Sequence, residues 1–445
     1  MNTKELYKLY QEHPCITTDS RDCPEGSIFV ALKGDKFDGN QYALKALENG
    51  CAYAIVDSDE LRATPNNALI FVDDTLQTLK DLAREHRRQF QIPVIAITGT
   101  NGKTTTKELI AAVLQKKYNV LYTQGNFNND VGVPKTLFRL NKEHDIAVIE
   151  MGASHPGDIK TLAETAEPTC GLITNVGRAH LQGFGSFEGV IKTKCELYDF
   201  LRTRQDGLIF LDADNEYLVD QLQDDDPLWV TPYSSDPDKQ FSCISGEVVS
   251  CDPLLKFRWR KPLSEIEEGG SQKWHKVQTQ LIGAYNLDNL LAAIAVGINF
   301  GVDRKQICHA LENYQPTNNR SQLTVTAYNR LIVDAYNANP SSMQAALDNF
   351  RLVEAEHKMA ILGAMRELGE VSDEEHQRIV DFIGTLGLEQ VWLVGEEFDR
   401  ARCDYRRFHD VEEVKAALKT ERPEGYTILI KGSNSTKLYQ LPELL

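Results

Sequence analysis

Residues Ala96–Ile110 read AITGTNGKTTTKELI, and the reading of this stretch decides the fold. The run Ile92–Ile97 leading into it is apolar and rich in β-branched residues, the composition of a buried parallel strand. It ends in Gly99, Thr100, Asn101 and Gly102, followed by Lys103, Thr104 and Thr105, after which Leu109, Ile110, Val113 and Leu114 recur at helical spacing. Strand, glycine turn, Lys-Thr and helix follow in the order of a phosphate-binding loop. Glycines let backbone N–H groups crowd around phosphate oxygens, and the helix N-terminus adds partial positive charge. In such a loop Lys103 reaches the terminal phosphates and the Thr104 hydroxyl sits on Mg²⁺. Ile97 stands where the standard pattern has its first glycine. The bland alternative is a Gly-Lys-Thr turn with no nucleotide, which the flanking strand and helix disfavour.

The 445 residues suffice for about three domains and a cleft between them. Charged residues make up 25% and hydrophobic ones 42%, so the chain is globular rather than disordered. A net charge of −17 argues against a nucleic-acid or membrane-surface partner, and anionic substrates must be held by local basic groups. The nine cysteines show neither CxxC pairs nor metal spacing. The N-terminus has no apolar signal core, and no run approaches the length of a membrane span. The expectation is a reduced cytoplasmic protein without stable membrane insertion, acting as a monomer.

Residues 1–91 alternate short strand-like pieces with turns. Two polar clusters, TTDSR (Thr17–Arg21) and ALKGDKFDGN (Ala31–Asn40), read either as surface turns or as an anion site with Arg21 and Lys33 as charge partners. Leu76–Phe90 reads as an amphipathic helix running to a boundary before Pro93. Within residues 92–313 the ends of successive strands gather polar loops, where ligand sites of α/β sheets collect. One is GNFNNDVGVP (Gly125–Pro134), either a ligand loop or an ordinary turn. Glu150 closes the strand Asp145–Met151, where a carboxylate beside a phosphate loop can serve Mg²⁺. His180 follows Cys170–Val176, and Lys194 lies on a helix beyond; each reads as structural or as a ligand. Residues 206–282 read as an antiparallel extension without chemistry. The helix Gly283–Val296 opens with Asn286 and Asn289 on one face. Residues 314–445 alternate strands with helices, implying a mostly parallel sheet whose strand ends carry DAYNANP (Asp334–Pro340), GAMRELG (Gly363–Gly369) and KGSNS (Lys431–Ser435). Asn319-Arg320 lies just upstream.

Taken together these motifs resemble the Mur ligases over essentially the whole chain. The shared signals are GTNGKTT, Glu150, His180, KTKCELY, YNLDN and the Asn-Arg pair. TTDSR with VALKGDKFDG, GNFNNDVGVP, EMGASHPGDI, DAYNANPSSMQAAL and KGS point to the branch of that family that uses a dipeptide. The resemblance implies an α/β, three-domain architecture: a small α/β UDP-binding domain (1–91), a central P-loop parallel-sheet domain (92–313) and a C-terminal Rossmann-like domain (314–445). It implies ATP and Mg²⁺ as cofactors, and UDP-N-acetylmuramoyl-tripeptide and D-alanyl-D-alanine as substrates.

By the same resemblance, Gly99–Thr105 bind ATP, with Lys103 on the β/γ-phosphates. Thr104 and Glu150 hold one Mg²⁺ and His180 a second. Lys194 matches a lysine carbamylated in several relatives, which would make it a carboxylate-like metal ligand, and Lys103, His180 and Lys194 form the catalytic set. Asn286, Asn289, Arg320 and Asp334 lie near the nucleotide. Asp19, Ser20, Arg21, Lys33, Gly34 and Asp38 meet the uridine diphosphate. Asn126, Asn128 and Asn129 face the muramoyl-peptide, and Asn337, Asn339 and Lys431 complete the substrate set. The chain departs from the family pattern at Ala364 and Asn434, where an acidic residue and an arginine are usual. The alternatives are a folylpolyglutamate-type ligase or another Mur step, against which the first domain argues, and a non-catalytic nucleotide switch, against which Glu150, His180 and Lys194 together argue.

Overall fold

The computed structural model describes the chain except residues 35, 65, 263–272, 317–319 and 321. Asn319 of the Asn-Arg pair therefore lies outside the described residues. Three large sheets follow one another along the chain, with a two-stranded ribbon at Lys33–Gly34 and Phe37–Asp38. The mixed α/β class and the strand–helix alternation agree with the sequence reading.

Val94–Thr98 lies inside a nine-stranded sheet, and all five of its residues are buried. Its side chains alternate between two cores, as the strand period requires. Ile95 and Ile97 face the helices Lys103–Leu114 and Asn286–Asn299, while Val94 and Ala96 face Asp158–Ala166 and Phe187–Arg202. Each fully buried leucine or isoleucine in these layers stabilises the sheet by about 1.5–3 kcal/mol. Register then fixes the site: Ile97 pairs with Glu150 and Thr98 with Ile173, so three strands end together at one edge.

The expectation for residues 206–282 needs correction. Leu208–Asp212, Trp229–Ser234 and Ile244–Cys251 extend the sheet in parallel, and only the pairings of Leu254–Arg260 and His275–Ile282 are antiparallel. The apolar run Leu208–Leu211 is the continuous hydrophobic pattern of a strand covered on both faces, and its carboxyl end, Asp212, reaches the ligand edge.

The first region carries a four-stranded parallel sheet, Ile16–Thr17, Ile28–Val30, Tyr53–Val56 and Leu69–Phe71 in that order. Helix Thr75–Arg87 packs Leu79, Leu82 and Ala83 inward. Its last residue, Arg87, is buried and donates to the carbonyls of Ala166, Phe90 and Ile92. A cation at two helix C-termini is favourable there, and it ties the first region to the central one.

In the third region six strands run in the order Gln322–Val325, Arg330–Asp334, Thr427–Lys431, Lys358–Gly363, Gln390–Val394 and Arg406–Phe408, all parallel except the first. The edge strands at 322–325 and 406–408 are short and escape the sequence pattern. Asp334 pairs in register with Lys431, which sets two charged residues side by side at the sheet's carboxyl edge. Among the described residues no helix is long and apolar enough to cross a membrane, and all nine cysteines are free.

Candidate functional site

The glycine turn after Val94–Thr98 keeps its shape through two close approaches. Gly99 has φ +139°, and a Cβ on it would collide with Thr174 Oγ1; Gly102 has φ +80°, and a Cβ there would come within 2.6 Å of Asn289 Oδ1. Only glycine meets both demands cheaply. The segment after Cys170–Ile173 braces the loop. Thr100 N–H donates to Asn175 O at 2.9 Å, and Asn101 N–H donates to Asn175 Oδ1 at 3.0 Å. Thr174 Oγ1 donates to Asn101 O at 2.5 Å, and Gly177 N–H donates to Thr100 Oγ1 at 2.9 Å. Thr174 and Asn175 were missed from sequence. The available signal was their place at the end of the strand that neighbours the loop strand.

Lys103 opens the helix and donates to the Gly99 and Thr100 carbonyls at 2.8 and 3.0 Å. Burial pulls its pKa down to about 8. One residue on, Thr104 Oγ1 donates to Glu150 Oε1 at 3.1 Å, and the same oxygen accepts from Asn128 Nδ2 at 2.8 Å. Glu150 is 1% exposed, and its Oε2 accepts no hydrogen bond. Two cis oxygens of an octahedral Mg²⁺ with bonds of ~2.1 Å stand about 3 Å apart, so the Thr104–Glu150 pair fits that ion. Among the described residues no group of three or more His, Cys, Asp or Glu could hold a metal.

Lys194 is buried on helix Phe187–Arg202, with its ammonium 5.3 Å from the Phe184 ring centroid. Desolvation, followed by the charge of Lys103, lowers its pKa to about 7. His180 has φ +51°, a left-handed conformation that costs a non-glycine residue energy and clusters at functional sites. Its Nδ1 lies against the Glu367 carboxylate across the cleft, while burial holds the ring below its usual pKa. Glu367, within GAMRELG, is a third residue the sequence reading did not single out.

The third region supplies the opposite wall. Lys431, 1% exposed, donates to Asp334 Oδ2 at 2.6 Å. The Arg320 guanidinium stacks 4.0 Å from the Tyr336 ring centroid. Asn339 caps helix Pro340–Leu352 through Oδ1, which accepts from Ser342 N–H at 2.8 Å, and its Nδ2 donates to Asn101 Oδ1 in the glycine loop at 2.8 Å. Arg178 N–H donates to Ser341 Oγ at 3.1 Å. Between the walls lies a cavity of about 1080 Å³, lined by Thr100–Thr105, Asn128, Asn129, Glu150, His180, Asn286, Asn289, Arg320, Asp334, Asn337 and Lys431. That volume exceeds a single drug-sized pocket.

Not every expected residue reaches it. Gly99, Lys194 and Asn339 stand behind the wall, and Asn126 lies outside it. Asn289 spends both polar atoms on protein, accepting from Thr106 Oγ1 and donating to Asn286 Oδ1, each at 2.9 Å. None of Asp19, Ser20, Arg21, Lys33, Gly34 and Asp38 lines the cavity. Arg21 folds back on Asp19 through backbone and guanidinium, Ser20 O accepts from Asn49, Lys33 pairs with Asp57 at 2.8 Å, and Asp38 holds Asn40. Conversely, Asp212, Asp214 and Asp288 line the cavity, although the stretch holding the first two had been read as without chemistry. Burial, then the charge of Asp288, pushes Asp212 up to about 7, and burial pushes Asp288 up to about 6.

A glycine phosphate loop on a parallel sheet, with a third-region wall closed over it, defines a nucleotide-dependent ligase of the Mur type. The chain belongs to the Mur ligase family: residues 14–87 match its "catalytic domain", 97–297 its "middle domain" and 319–434 its "glutamate ligase domain". Among individual relatives, the chain is similar to the UDP-N-acetylmuramoyl-tripeptide–D-alanyl-D-alanine ligase of Synechocystis, at 33% identity over 95% of this chain and 90% of the relative. MurF from Acinetobacter baumannii superposes with a TM-score of 0.86 at 28% identity, covering 99% and 97% of the two chains. The MurF ligase from Thermotoga maritima, solved in complex with ADP, gives 0.84 at 26% identity over 97% and 96%.

Proposed function

We infer that this chain is an ATP-dependent amide ligase that adds D-alanyl-D-alanine to UDP-N-acetylmuramoyl-tripeptide in peptidoglycan precursor synthesis. The observation that carries this reading is the phosphate loop bridged to the third-region wall by Asn339, with Glu150, His180 and Glu367 around one cavity and Lys194 buried behind it. The relatives' shared reaction supports it.

The tripeptide carboxylate is a poor acyl donor at neutral pH. Its oxygen attacks the γ-phosphorus of ATP, forming an acyl phosphate and releasing ADP. The dipeptide amine then attacks the acyl carbon, phosphate leaves, and the amine proton is lost to give the amide. Lys103 and the loop N–H groups offset the repulsion between carboxylate and triphosphate. Thr104 and Glu150 would hold Mg²⁺, which when bound neutralises developing phosphate charge. His180 and Lys194 stand at the same edge, where a neutral Lys194 amine is open to carbamylation. Asn128 orients Glu150, Lys431 orients Asp334 toward the nucleotide, and Asn129 and Asn337 face the peptide side. Asp19, Ser20, Arg21, Lys33, Gly34 and Asp38 would serve the uridine-diphosphate end, away from the chemistry, and Asn126 the muramoyl-peptide side outside the cavity. Residues 1–91, 92–313 and 314–445 thus divide into recognition, nucleotide and ligation units, working as a cytoplasmic monomer.

The test is ADP release with the tripeptide precursor, with and without D-alanyl-D-alanine. Stimulation by the dipeptide is expected; its absence would refute the assignment.

A further inference from the structure

One turn beyond Lys103, the same helix carries a second lysine that the cavity does not use. Lys107 is 0% exposed, among the largest fully buried side chains of the protein. Its Nζ lies 2.9 Å from Glu108 Oε1 and 3.8 Å from Glu150 Oε2, with the Tyr122 ring centroid at 5.8 Å. A buried ammonium is tolerated only beside opposite charge, and filling this space would need nothing more than an apolar side chain.

The two oxygens of Glu150 have different neighbours. Oε1 is held by Thr104 and Asn128 at the cavity. Oε2 is buried, accepts no hydrogen bond, and faces the Lys107 charge. We propose that Lys107 is a positioning residue for the ligase reaction: from behind, its charge fixes Glu150 Oε2, so that Oε1 stays beside Thr104 at the phosphate loop. Glu108 keeps the lysine paired when Glu150 engages a cation. The role of Oε1 rests on the ligase reading above, but the coupling between Lys107 and Glu150 does not.

A double-mutant cycle on thermal stability, run without nucleotide or metal, tests the coupling directly. Lys107→Gln leaves a buried carboxylate without its counter-charge and should lower the melting temperature by roughly 5 °C. Adding Glu150→Gln removes that charge, and the double variant should regain at least half of the loss; simple packing by Lys107 predicts no such rescue. If Lys107→Gln is not recovered folded, the double variant decides, folded for the proposal and unfolded against it. In the folded single variant, kcat for ADP release should fall about tenfold, as for other residues that orient a metal ligand, with KM for the peptide precursor unchanged. Additive melting shifts, or an unchanged kcat, overturn the proposal. ADP release by the unaltered protein reports separately on the ligase reading.

Discussion

The carboxylate at the phosphate loop and the TTDSR turn of the first region are both short polar clusters in the sequence, yet they are built in opposite ways. Glu150 is 1% exposed and meets Thr104, Asn128 and Lys107. Asp19 and Arg21 meet chiefly each other, with side chains 43% and 87% exposed. A buried, cross-braced carboxylate is fixed before any ligand arrives, which suits stabilising a transition state. An exposed pair in high dielectric keeps its groups available, which suits recognising one end of a long substrate. The difference predicts that loss at the first strikes rate and loss at the second strikes binding.

The hardest blow to that contrast falls on the central site. Replacing Lys103 by Ala should cut kcat for ADP release by roughly 10²–10³ at saturating substrates, the loss seen when one charge-stabilising donor is removed. Near-normal turnover would place the chemistry elsewhere. Removing the amide that bridges the two walls, in Asn339→Ala, should cost about tenfold in kcat/KM, from one neutral hydrogen bond and a helix cap. If Asn339→Ser, which restores the cap but not the bridge, behaves like the parent, the bridge is irrelevant to turnover.

On the recognition side, Arg21→Ala should raise KM for the uridine-diphosphate precursor about fivefold, at unchanged kcat and unchanged melting temperature. A matching drop in kcat would erase the distinction between the regions. The last effect concerns stability alone. The folded-state pKa of Asp212 is raised from 3.8 to about 7, so the native state binds more protons than the unfolded chain between those values. Stability contributed by the protonated group is present below 3.8 and lost as pH rises through about 7. The penalty at pH 8 is at most roughly 4 kcal/mol at 1.36 kcal/mol per unit. Asp212→Asn should therefore raise the melting temperature at pH 8 and leave it nearly unchanged at pH 4, as scanning calorimetry would measure. A uniform gain at both pH values would assign the effect to packing.

Much of this was legible in the sequence because local chemistry decided it. The glycines at 99 and 102, the strand ahead of them and the helix after them each follow from short-range pattern. Strand ends marked Glu150 and His180 on one sheet edge and Asp334 and Lys431 on another, since parallel register aligns such ends. What failed depended on distance in sequence. Asp212 sits in a stretch that looked like a peripheral extension, and only parallel pairing with Cys170–Ile173 carries it to the cleft. The pairing of His180 with Glu367 spans two regions, and no periodicity encodes it. Lys107 was not singled out from the sequence, because its complete burial emerges only once the helix is laid on the sheet.

The side chain of Asn339 gives one amide two duties: its oxygen ends a third-region helix, and its nitrogen holds the glycine loop. Whatever lies on that loop is roofed by the unit that must also admit the dipeptide. Departure of ADP and admission of a fresh dipeptide are therefore expected to share one event, the parting of Asn339 from Asn101. Solvent viscosity should accordingly slow steady-state turnover more than it slows formation of the first bond.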